Sequence, residues 1–410
     1  MTESSHQSHN SLDDELALGE RASIIRVVEG LIEEAHALHA SDIHIDPTRE
    51  VLRVRLRIDG VLTDFKTIPS CIRLEIISRL KILSGLRTDE HQAPQDGRFR
   101  QTLSDGVHVD IRVSIAPTYH GENAVLRLLS VQSDDLSLSD LGFSPRDISL
   151  ISAAVKKPNG MILATGPTGS GKTTSLYTLI KMLNKPSVSI VTIEDPIEYS
   201  IDNIEQIQVN ARTGLTFSTG LRSILRQDPD IIMVGEIRDS ETANIAVNTA
   251  LTGHLLLSTL HTSDAATTLP RLIDMGIDPY LVASTINLAI GQRLVRKICE
   301  VCKTEIEITP SMVESLATLS LSHPFVVGEK VFTGTGCAAC VDSGYASRIS
   351  VNEVLTADAH VKDAILRRAS AGELRSIAVA NGMTTMLEDG MQKVRNGLTT
   401  IEEVLRVIHE

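Results

Sequence analysis

The feature that most constrains this chain is a glycine-rich segment between two regular elements, MILATGPTGSGKTTSLYTLI at residues 161–180. Gly166, Gly171, Lys172 and Thr173 fit the pattern G-x-x-x-x-G-K-[ST], with an apolar strand before it and a helix after it. Such glycines let backbone amides turn inward around a phosphate, and the helix N-terminus adds a partial positive charge. A chance match is the competing explanation, and the flanking strand and helix argue against it. The sequence therefore predicts a site for a phosphate chain.

Two side chains of this motif have separate predicted tasks. In loops of this kind the lysine, here Lys172, reaches the β- and γ-phosphates, and the hydroxyl of Thr173 holds Mg²⁺. A nucleoside triphosphate and Mg²⁺ are therefore the expected ligands. The residues predicted to bind the nucleotide are Gly166, Pro167, Thr168, Gly169, Ser170, Gly171, Lys172, Thr173 and Thr174.

Apolar strands alternate with helical segments after residue 146, near MILAT, SIVTIED, IIMVGE and HLLLST. This alternation predicts an α/β fold whose parallel sheet carries helices on both faces. Ligands of such sheets lie beyond the carboxyl ends of the strands. Glu194, Glu236 and His261 follow strands and are candidates for the phosphate site, whereas His254 precedes its strand. Taken singly, such a carboxylate is more often a solvated loop residue and such a histidine a satisfied hydrogen-bond partner.

The chain before this region has a different pattern. Two Asp-Gly turns, at residues 59–60 and 105–106, lie between alternating apolar and polar residues and predict β-hairpins. A helix is expected near residues 72–84, between the hairpins. The predicted domains are a disordered tail at 1–20, a smaller N-terminal α+β domain at 21–130, a linker at 131–145, a phosphate-binding α/β core at 146–297, a cysteine-containing insert at 298–348 and a helical C-terminal subdomain at 349–410. In the last of these, Ser370/Glu373 and Thr400/Glu403 fit capping boxes.

Four of the five cysteines form two C-x-x-C pairs, Cys299/Cys302 and Cys337/Cys340. Four thiolates satisfy the tetrahedral geometry of zinc. The 34 residues between the pairs exceed the usual ~15 to 20 of a zinc ribbon, so a folded insert must bring them together. Redox chemistry is the alternative, but neither pair lies in a thioredoxin-like context. We predict a structural zinc ion, and we expect the remaining cysteine, Cys71, to lie in the core.

Charge and composition bear on the class of partner. The net charge is −13, and aromatic residues make up 3% of the chain, with no tryptophan. An acidic chain is poorly suited to a phosphate backbone, and scarce aromatic side chains leave few platforms for stacking bases. No run approaches ~18 to 20 apolar residues and no secretory signal is visible. We expect a cytoplasmic protein that does not act on nucleic acid.

Four motifs in order resemble those of the ATPases of type II secretion and type IV pilus assembly. They are a Walker A loop (GPTGSGKT), an aspartate box (TIEDPIE), an atypical Walker B segment (LRQDPDIIMVGEIRD) and a histidine box (TGHLLLSTLHT). The resemblance covers the chain from about residue 30. It implies a homohexameric ATPase motor with a RecA-like P-loop NTPase core, using ATP and Mg²⁺ to drive assembly of pilin or pseudopilin.

The resemblance also implies roles for individual residues. The family's Walker B strand ends in Gly-Glu, so Glu236 is expected to activate water and Glu194 to support magnesium or water. His254 and His261 resemble the pair that links the state of the γ-phosphate to conformation. Arg112 and Arg127 match arginines of the family's N-terminal domain that reach toward nucleotide.

The same family suggests the metal and the partners. Its assembly members carry a tetracysteine zinc insert followed by a motif similar to SGYASR, and its retraction motors lack that insert. Ser347 occupies a position in this motif where the family more often has glycine. Expected partners are further copies of the chain and inner-membrane platform proteins, with which the protein would associate peripherally.

Two other functions stay open at the level of sequence. One is a RecA-like motor that translocates nucleic acid, and the other is a scaffold that binds ATP without turnover. The charge balance disfavours the first, and the combination of Lys172, Thr173 and Glu236 disfavours the second. Within the family, the sequence does not distinguish secretion, pilus assembly and DNA uptake.

Overall fold

A computed structural model of the chain describes residues 12–130, 136–319 and 321–409. The chain divides into two compact units, Met1–Asp134 and Asp135–Glu410. Within the described ranges, no helix is both long enough and apolar enough to cross a membrane.

The first unit is a six-stranded antiparallel sheet with helices packed on one face. Its strands follow the order β3-β2-β1-β6-β5-β4. Side chains of one sheet face and of the two longer helices form a single apolar core. The elements are α1 (Leu12–Leu16), α2 (Ile24–Ala37), β1 (Ala40–Pro47), β2 (Val51–Ile58), β3 (Val61–Pro69), α3 (Arg73–Leu83), β4 (Gln95–Thr102), β5 (His108–Thr118) and β6 (Gly121–Ser130).

Both predicted hairpins are present in this sheet. Asp59 and Gly60 connect β2 to β3 with φ angles of 49° and 86°. Two consecutive residues with positive φ are what a two-residue type I′ turn requires, because its twist matches that of the strands. Gly106 also has a positive φ and lies between the paired strands β4 and β5.

The prediction that residues 1–20 are disordered is wrong for residues 12–20. Leu12 is 4% exposed and contacts α2 at Gly30, which has no side chain to prevent the approach. The carboxylate of Glu15 is buried and accepts a hydrogen bond from the backbone amide of Ser23. One buried leucine and one hydrogen-bonded carboxylate oxygen thus fix a segment whose polar composition indicated disorder. Residues 1–11 of this prediction lie outside the described residues.

Cys71 was expected in the core, and this expectation is wrong. It lies in a single 3-10 turn, Ser70–Ile72, before α3, and its side chain is exposed. The adjacent Ile72 is 3% exposed and packs in the core instead. The turn rotates the chain so that Ile72, rather than Cys71, faces inward.

The second unit contains a seven-stranded sheet in the order β15-β12-β7-β11-β10-β8-β9. All neighbouring strands are parallel except β15, which is antiparallel to β12. A two-stranded hairpin, β13-β14, lies in the cysteine-containing insert. The elements are α4 (Pro145–Ala154), β7 (Gly160–Thr165), α5 (Lys172–Leu183), β8 (Ile190–Glu194), β9 (Glu205–Gln208), α6 (Phe217–Ile224), β10 (Ile231–Val234), α7 (Ser240–Leu251), β11 (Leu255–Leu260), α8 (Ala265–Asp274), α9 (Pro279–Thr285), β12 (Ile286–Ile298), β13 (Lys303–Glu307), α10 (Pro310–Leu316), β14 (Lys330–Gly334), β15 (Tyr345–Thr356), α11 (Ala359–Leu366), α12 (Ala371–Ala380), α13 (Met386–Arg395) and α14 (Ile401–His409).

Helices cover both faces of this sheet, as the alternation of elements predicts. Along β7, Met161 and Leu163 join the apolar cluster of α6 to α9, whereas Ile162 and Ala164 join the cluster of α4 and α5. Successive side chains of a strand point to opposite faces, so the two clusters lie on the two sides of the sheet. A strand buried on both sides is the expected centre of a parallel sheet.

Part of the predicted linker at 131–145 is folded onto the second unit. Leu138 and Phe143 are each 4% exposed and pack with α4 and α5. The backbone amide of Ser350 in β15 donates to the carbonyl of Leu141 at 3.1 Å. The segment 136–144 is therefore anchored to the core by Leu138 and Phe143, two large apolar side chains among polar ones. Residues 131–135 lie outside the described residues.

The C-terminal region, 349–410, was predicted to be helical, and it begins instead with the strand β15. Residues 349–355 are all buried, including Asn352 and Glu353. A strand paired to β12 and covered on both faces has no alternating pattern for sequence to reveal. Further along, the hydroxyls of Ser370 and Thr400 cap α12 and α14, which is one half of each predicted capping box. The carboxylates of Glu373 and Glu403 instead accept from Arg367 and Arg296.

Candidate active site

The glycine-rich segment forms the loop between β7 and α5. Gly166, Gly169 and Gly171 have φ angles of 147°, 79° and 86°. A Cβ atom on Gly166 would stand 2.4 Å from the carbonyl oxygen of Gln292, too close for any side chain. Glycine is thus required by both backbone conformation and space at Gly166. Pro167, Thr168 and Gly169, at the tip of the loop, are exposed.

Lys172 opens α5 and is 8% exposed. Its ammonium donates to the carbonyl oxygens of Gly166 and Pro167, each at 2.8 Å. Burial lowers the pKa of Lys172 to about 8, helped by the nearby charge of Arg293 and opposed by that of Glu236. The lysine is therefore folded back onto its own loop, near one carboxylate and one guanidinium.

The loop fits the phosphate chain that its sequence predicts. The hydroxyl oxygen of Ser170 is buried and has no hydrogen-bond partner in the part of the chain that the structure describes. A phosphate oxygen would satisfy it, because a hydroxyl can donate to an anion. Thr173 lies half-buried in the first turn of α5 and Thr174 is exposed. The hydroxyl of Thr173 is the oxygen ligand that this segment would offer to Mg²⁺.

Glu236 lies two residues beyond the carboxyl end of β10 and is 8% exposed. Its Oε2 atom is 3.2 Å from Nε2 of His261, and its Oε1 atom is 2.6 Å from the guanidinium of Arg238. The backbone before it is fixed by β11, since the hydroxyl of Thr259 donates to the carbonyl of Gly235 at 2.7 Å. The carboxylate is thus held at the sheet edge where the phosphate loop lies, beside the imidazole of His261 and the guanidinium of Arg238.

Glu194, at the end of β8, is held differently. It is 2% exposed, and its carboxylate accepts hydrogen bonds from the hydroxyl of Tyr177, from Thr192 at 2.6 Å and from Gln206 at 3.2 Å. Burial, followed by the charge of Glu194, raises the pKa of Tyr177 above its usual range. The side chain is therefore engaged by protein donors on both oxygens, and its predicted part in binding magnesium or water stays a prediction.

His254 does not join this group of residues. It lies just before β11, and its Nδ1 atom is 3.2 Å from the carbonyl oxygen of Thr249. His261 follows the same strand. The intervening residues of a strand span roughly 20 Å at ~3.3 Å per residue. Within one chain the two histidines lie at opposite ends of β11, and the expected role of His254 in linking the γ-phosphate to conformation stays a prediction.

Arg112 and Arg127 both lie in the first unit. They are directly opposite each other in the β5–β6 ladder. The Nε atom of Arg127 donates to Asp42 of β1 at 2.9 Å, and the Arg127 side chain is 58% exposed. Their expected role at a nucleotide stays a prediction.

The four paired cysteines come together at the end of β12 and the start of β15. Their sulfur atoms all lie within 4.8 Å of one another. The Sγ atoms of Cys299 and Cys337 are 3.9 Å apart, those of Cys302 and Cys340 3.9 Å, and those of Cys337 and Cys340 3.7 Å. A tetrahedral zinc ion with Zn–S bonds of ~2.3 Å requires sulfurs about 3.8 Å apart. Disulfide-bonded sulfurs would be ~2.05 Å apart.

The surrounding backbone also suits bound thiolates. The amides of Cys337 and Gly344 each donate to the sulfur of Cys340 at 3.2 Å. Burial alone would raise the pKa of the Cys340 thiol, but these two amides hold it below its ordinary value. The four cysteines therefore fit zinc, and four thiolates leave no open position for chemistry.

Sequence reasoning missed two residues beside the phosphate loop, Gln292 and Arg293. They lie on β12, which pairs with β7, and they are 1% and 9% exposed. The signal was available, since INLAIGQRLVRKI places the adjacent polar residues Gln292 and Arg293 between two mainly apolar stretches. A run of that kind was not recognised as a strand next to the phosphate loop.

The sheet order and the loop after β7 place the second unit in the class of P-loop NTPases with a RecA-like core. Sequence comparison identifies the family within this class. The chain belongs to the type II/IV secretion system protein family, whose model matches residues 17–406.

Two relatives and one solved structure illustrate the relationship. The chain is 45% identical over 399 residues to a type IV pilus assembly ATPase, PilB, of Thermus thermophilus, which covers 97% of this chain and 44% of the relative. It is 45% identical over 404 residues to type II secretion system protein E of Xanthomonas campestris pv. campestris, with 98% and 70% covered. The fold resembles that of the ATPase DotB of Legionella pneumophila, with a TM-score of 0.68, 24% identity and coverages of 93% and 95%. The chain thus spans less than half of the Thermus relative's length.

Proposed function

We propose that this chain is a Mg²⁺-dependent ATPase whose hydrolysis of ATP to ADP and phosphate drives assembly of pilin or pseudopilin. It would act as a homohexamer in the cytoplasm, bound to inner-membrane platform proteins of a type II secretion or type IV pilus system. Family membership and the names of the relatives support the cellular role. The phosphate loop supports the reaction.

The observation that carries the proposed reaction is the placement of Glu236. It is a buried carboxylate beside His261, at the edge of the sheet that also carries Lys172. A carboxylate in this position can accept a proton from water as the water oxygen bonds to the γ-phosphorus. The bond from that phosphorus to the bridging oxygen then breaks, and ADP leaves with the electron pair.

Other residues of the site would prepare this step. Lys172 exchanges the carbonyls of Gly166 and Pro167 for phosphate oxygens, which keeps its ammonium hydrogen-bonded throughout. His261 and Arg238 fix the orientation of the Glu236 carboxylate. Bound Mg²⁺, held by Thr173, would neutralise charge on the phosphates. A carboxylate oriented by two neighbours is ready to position water without a large rearrangement.

The cysteine site has a separate, structural role in this proposal. A zinc ion held by Cys299, Cys302, Cys337 and Cys340 joins the end of β12 to the start of β15. It would stabilise the insert without taking part in hydrolysis, since its coordination is complete.

Phosphate release from ATP tests the proposal. The purified chain, Glu236→Gln and the control Glu307→Gln, which changes an exposed residue of β13, are each assayed with and without single-stranded DNA and with and without EDTA. We expect the wild type and the control to hydrolyse ATP, EDTA to stop them, Glu236→Gln to be inactive and DNA to have no effect. Stimulation by DNA would favour a nucleic-acid motor, and absence of turnover in the wild type would favour a scaffold.

A further inference from the structure

Strand β12 passes directly beside the phosphate loop. In its parallel ladder with β7, Gly291 is opposite Thr165, the last residue before the loop. β12 continues beyond this point, so the next residues run alongside the loop itself. The contact is close, because a Cβ atom on Gly166 would be 2.4 Å from the carbonyl oxygen of Gln292.

Gln292 fixes β12 against the helix that follows the loop. Its side-chain oxygen accepts a hydrogen bond from the hydroxyl of Ser175 at 2.9 Å, and both residues are buried. Its amide nitrogen is 2.9 Å from the position that a Cβ atom on Gly171 would occupy. Gln292 therefore faces α5, and the alternation of a strand directs the next side chain to the other face of the sheet.

That next side chain is Arg293, whose guanidinium lies against the start of the phosphate loop. The residue is 9% exposed. Its Nη1 atom is 3.2 Å from the position of a Cβ atom on Gly166, and it donates to the carbonyl of Gln292 at 3.3 Å. Its charge also acts on Lys172: burial lowers the pKa of Lys172, the charge of Glu236 opposes this, and the charge of Arg293 adds a smaller lowering. Two largely buried cations thus lie beside the same six-residue loop.

Two neighbouring cations in a poorly solvated place disfavour each other, and an anion between them removes this repulsion. Arginine suits such an anion, because its planar fork of donors matches phosphate oxygens. We propose that Arg293 is a second phosphate-binding residue, supplied by the same chain as Lys172, which contacts the phosphate chain of bound nucleotide. This inference rests on the proposed binding of ATP and adds a ligand contact from β12 to it.

Displacement of a fluorescent ADP analogue from the full chain tests the inference, with ATP and inorganic tripolyphosphate as competitors. Arg293→Gln removes the positive charge, and Arg293→Lys keeps the charge but lacks the planar set of N–H donors of a guanidinium. The matched control is Arg296→Gln on the same strand, whose guanidinium pairs with Glu403 instead of the loop. Tripolyphosphate is informative because it reports on phosphate contacts alone.

We expect Arg293→Gln to weaken both competitors about tenfold or more, equivalent to about 1.4 kcal/mol. Arg293→Lys should recover part of this loss, and Arg296→Gln should bind like the wild type. The inference is overturned if Arg293→Gln binds like the wild type, or if Arg296→Gln loses as much affinity. Circular dichroism shows whether each variant is folded. If Arg293→Gln does not fold, Arg293→Lys provides the test: its affinity should still be below that of the wild type, and wild-type affinity would overturn the inference.

Lys172→Ala distinguishes failure of the proposed role of Arg293 from failure of the proposed nucleotide site. If Lys172→Ala loses affinity and Arg293→Gln does not, the nucleotide site stands and only the role of Arg293 fails. If the wild type itself binds neither ADP nor tripolyphosphate, the proposed function fails together with this inference.

Discussion

Glu236 and His261 lie 3.2 Å apart, carboxylate Oε2 to imidazole Nε2, just beyond the carboxyl ends of the neighbouring parallel strands β10 and β11. The pairing follows from strand register, since Val234 is opposite Ser258, and the chain reaches Glu236 two residues and His261 three residues after these positions. Glu236 is buried, whereas the His261 side chain is 48% exposed. Glu236 is thus enclosed by protein, whereas His261 is open to solvent.

The first prediction concerns this pair. His261→Ala should lower kcat by about tenfold to a hundredfold, because the Glu236 carboxylate loses one of its two orienting neighbours. The affinity for ATP should change little, since Lys172 and the loop are untouched. Steady-state hydrolysis and nucleotide binding measure the two effects separately. His360→Ala, which changes an exposed histidine of α11, is the matched control, and an equal loss of kcat there would contradict the assignment.

The second prediction is a pH dependence of nucleotide binding. Burial lowers the pKa of Lys172 from 10.5 to about 8, so the free protein loses this positive charge as the pH rises through about 8. ATP prefers the charged lysine, and its affinity should therefore fall above about pH 8. A titration of ATP binding against pH measures this. Lys172→Arg stays charged and should show no such fall, whereas a flat wild-type profile to about pH 9.5 would refute the prediction.

The effect of the same lysine on stability has the opposite sign. Between about pH 8 and 10.5 the unfolded chain holds the proton that the folded chain has released. Stability rises with pH wherever the unfolded state binds more protons, so the contribution of Lys172 to the free energy of unfolding rises across this window.

The third prediction concerns the hydrogen bond between Tyr177 and Glu194. Tyr177→Phe removes a donor to the buried Glu194 carboxylate, and an unsatisfied buried charge costs about 1 to 3 kcal/mol or more. The free energy of unfolding from denaturant titration should fall by about that amount. Tyr280→Phe removes the same hydroxyl from a residue that is 60% exposed and should be neutral. Equal stability of the two variants would show that the hydrogen bond to Glu194 is unimportant.

The fourth prediction concerns the attachment of α14. Burial opposes the charge of Glu403, but hydrogen bonds from Arg406 and Arg296 outweigh it and lower the pKa of Glu403 from 4.5 to about 2. Such a group stabilises the fold above the unfolded pKa, and the stabilisation is lost as the pH falls from about 4.5 to about 2. Glu403→Gln should weaken the folded state at neutral pH and flatten its loss of stability in acid. Denaturant midpoints across this pH range provide the test.

The fifth prediction concerns the metal. The purified chain should contain a single zinc ion, measured by mass spectrometry of the acid-digested protein. Cys302→Ser should lose the ion and lower the unfolding temperature, because folding of the insert is linked to metal binding. Cys71→Ser changes an exposed cysteine and should retain zinc. Equal metal content in Cys302→Ser and the wild type would exclude this site as the ligand set.

The parts of the fold that sequence predicted are those with a local signal. The glycine-rich loop needs positive φ at several positions, and the strands β7, β8, β10 and β11 each end in a recognisable motif. Glu236 and His261 could be placed together because parallel strands bring their carboxyl ends to one edge.

The parts that sequence did not predict depend on contacts far apart in the chain. The segment that forms β15 was predicted to be part of a helical subdomain, because its pairing partner, β12, lies more than 45 residues earlier in the chain. Arg293 reaches the phosphate loop only through that same strand, more than 120 residues from Gly166. His254 and His261 share one motif, yet a strand separates them, so proximity in sequence did not give proximity in space.

The role of Glu236 in hydrolysis is measured most directly by following labelled ATP bound to Glu236→Gln. The account predicts that this variant binds ATP with the affinity of the wild type and that the bound nucleotide stays ATP, whereas the wild type converts it to ADP and phosphate. Lys172→Ala, by contrast, should fail to bind. Conversion of ATP by Glu236→Gln at the wild-type rate would contradict the account, because the buried carboxylate at the end of β10 would then have no part in activating water.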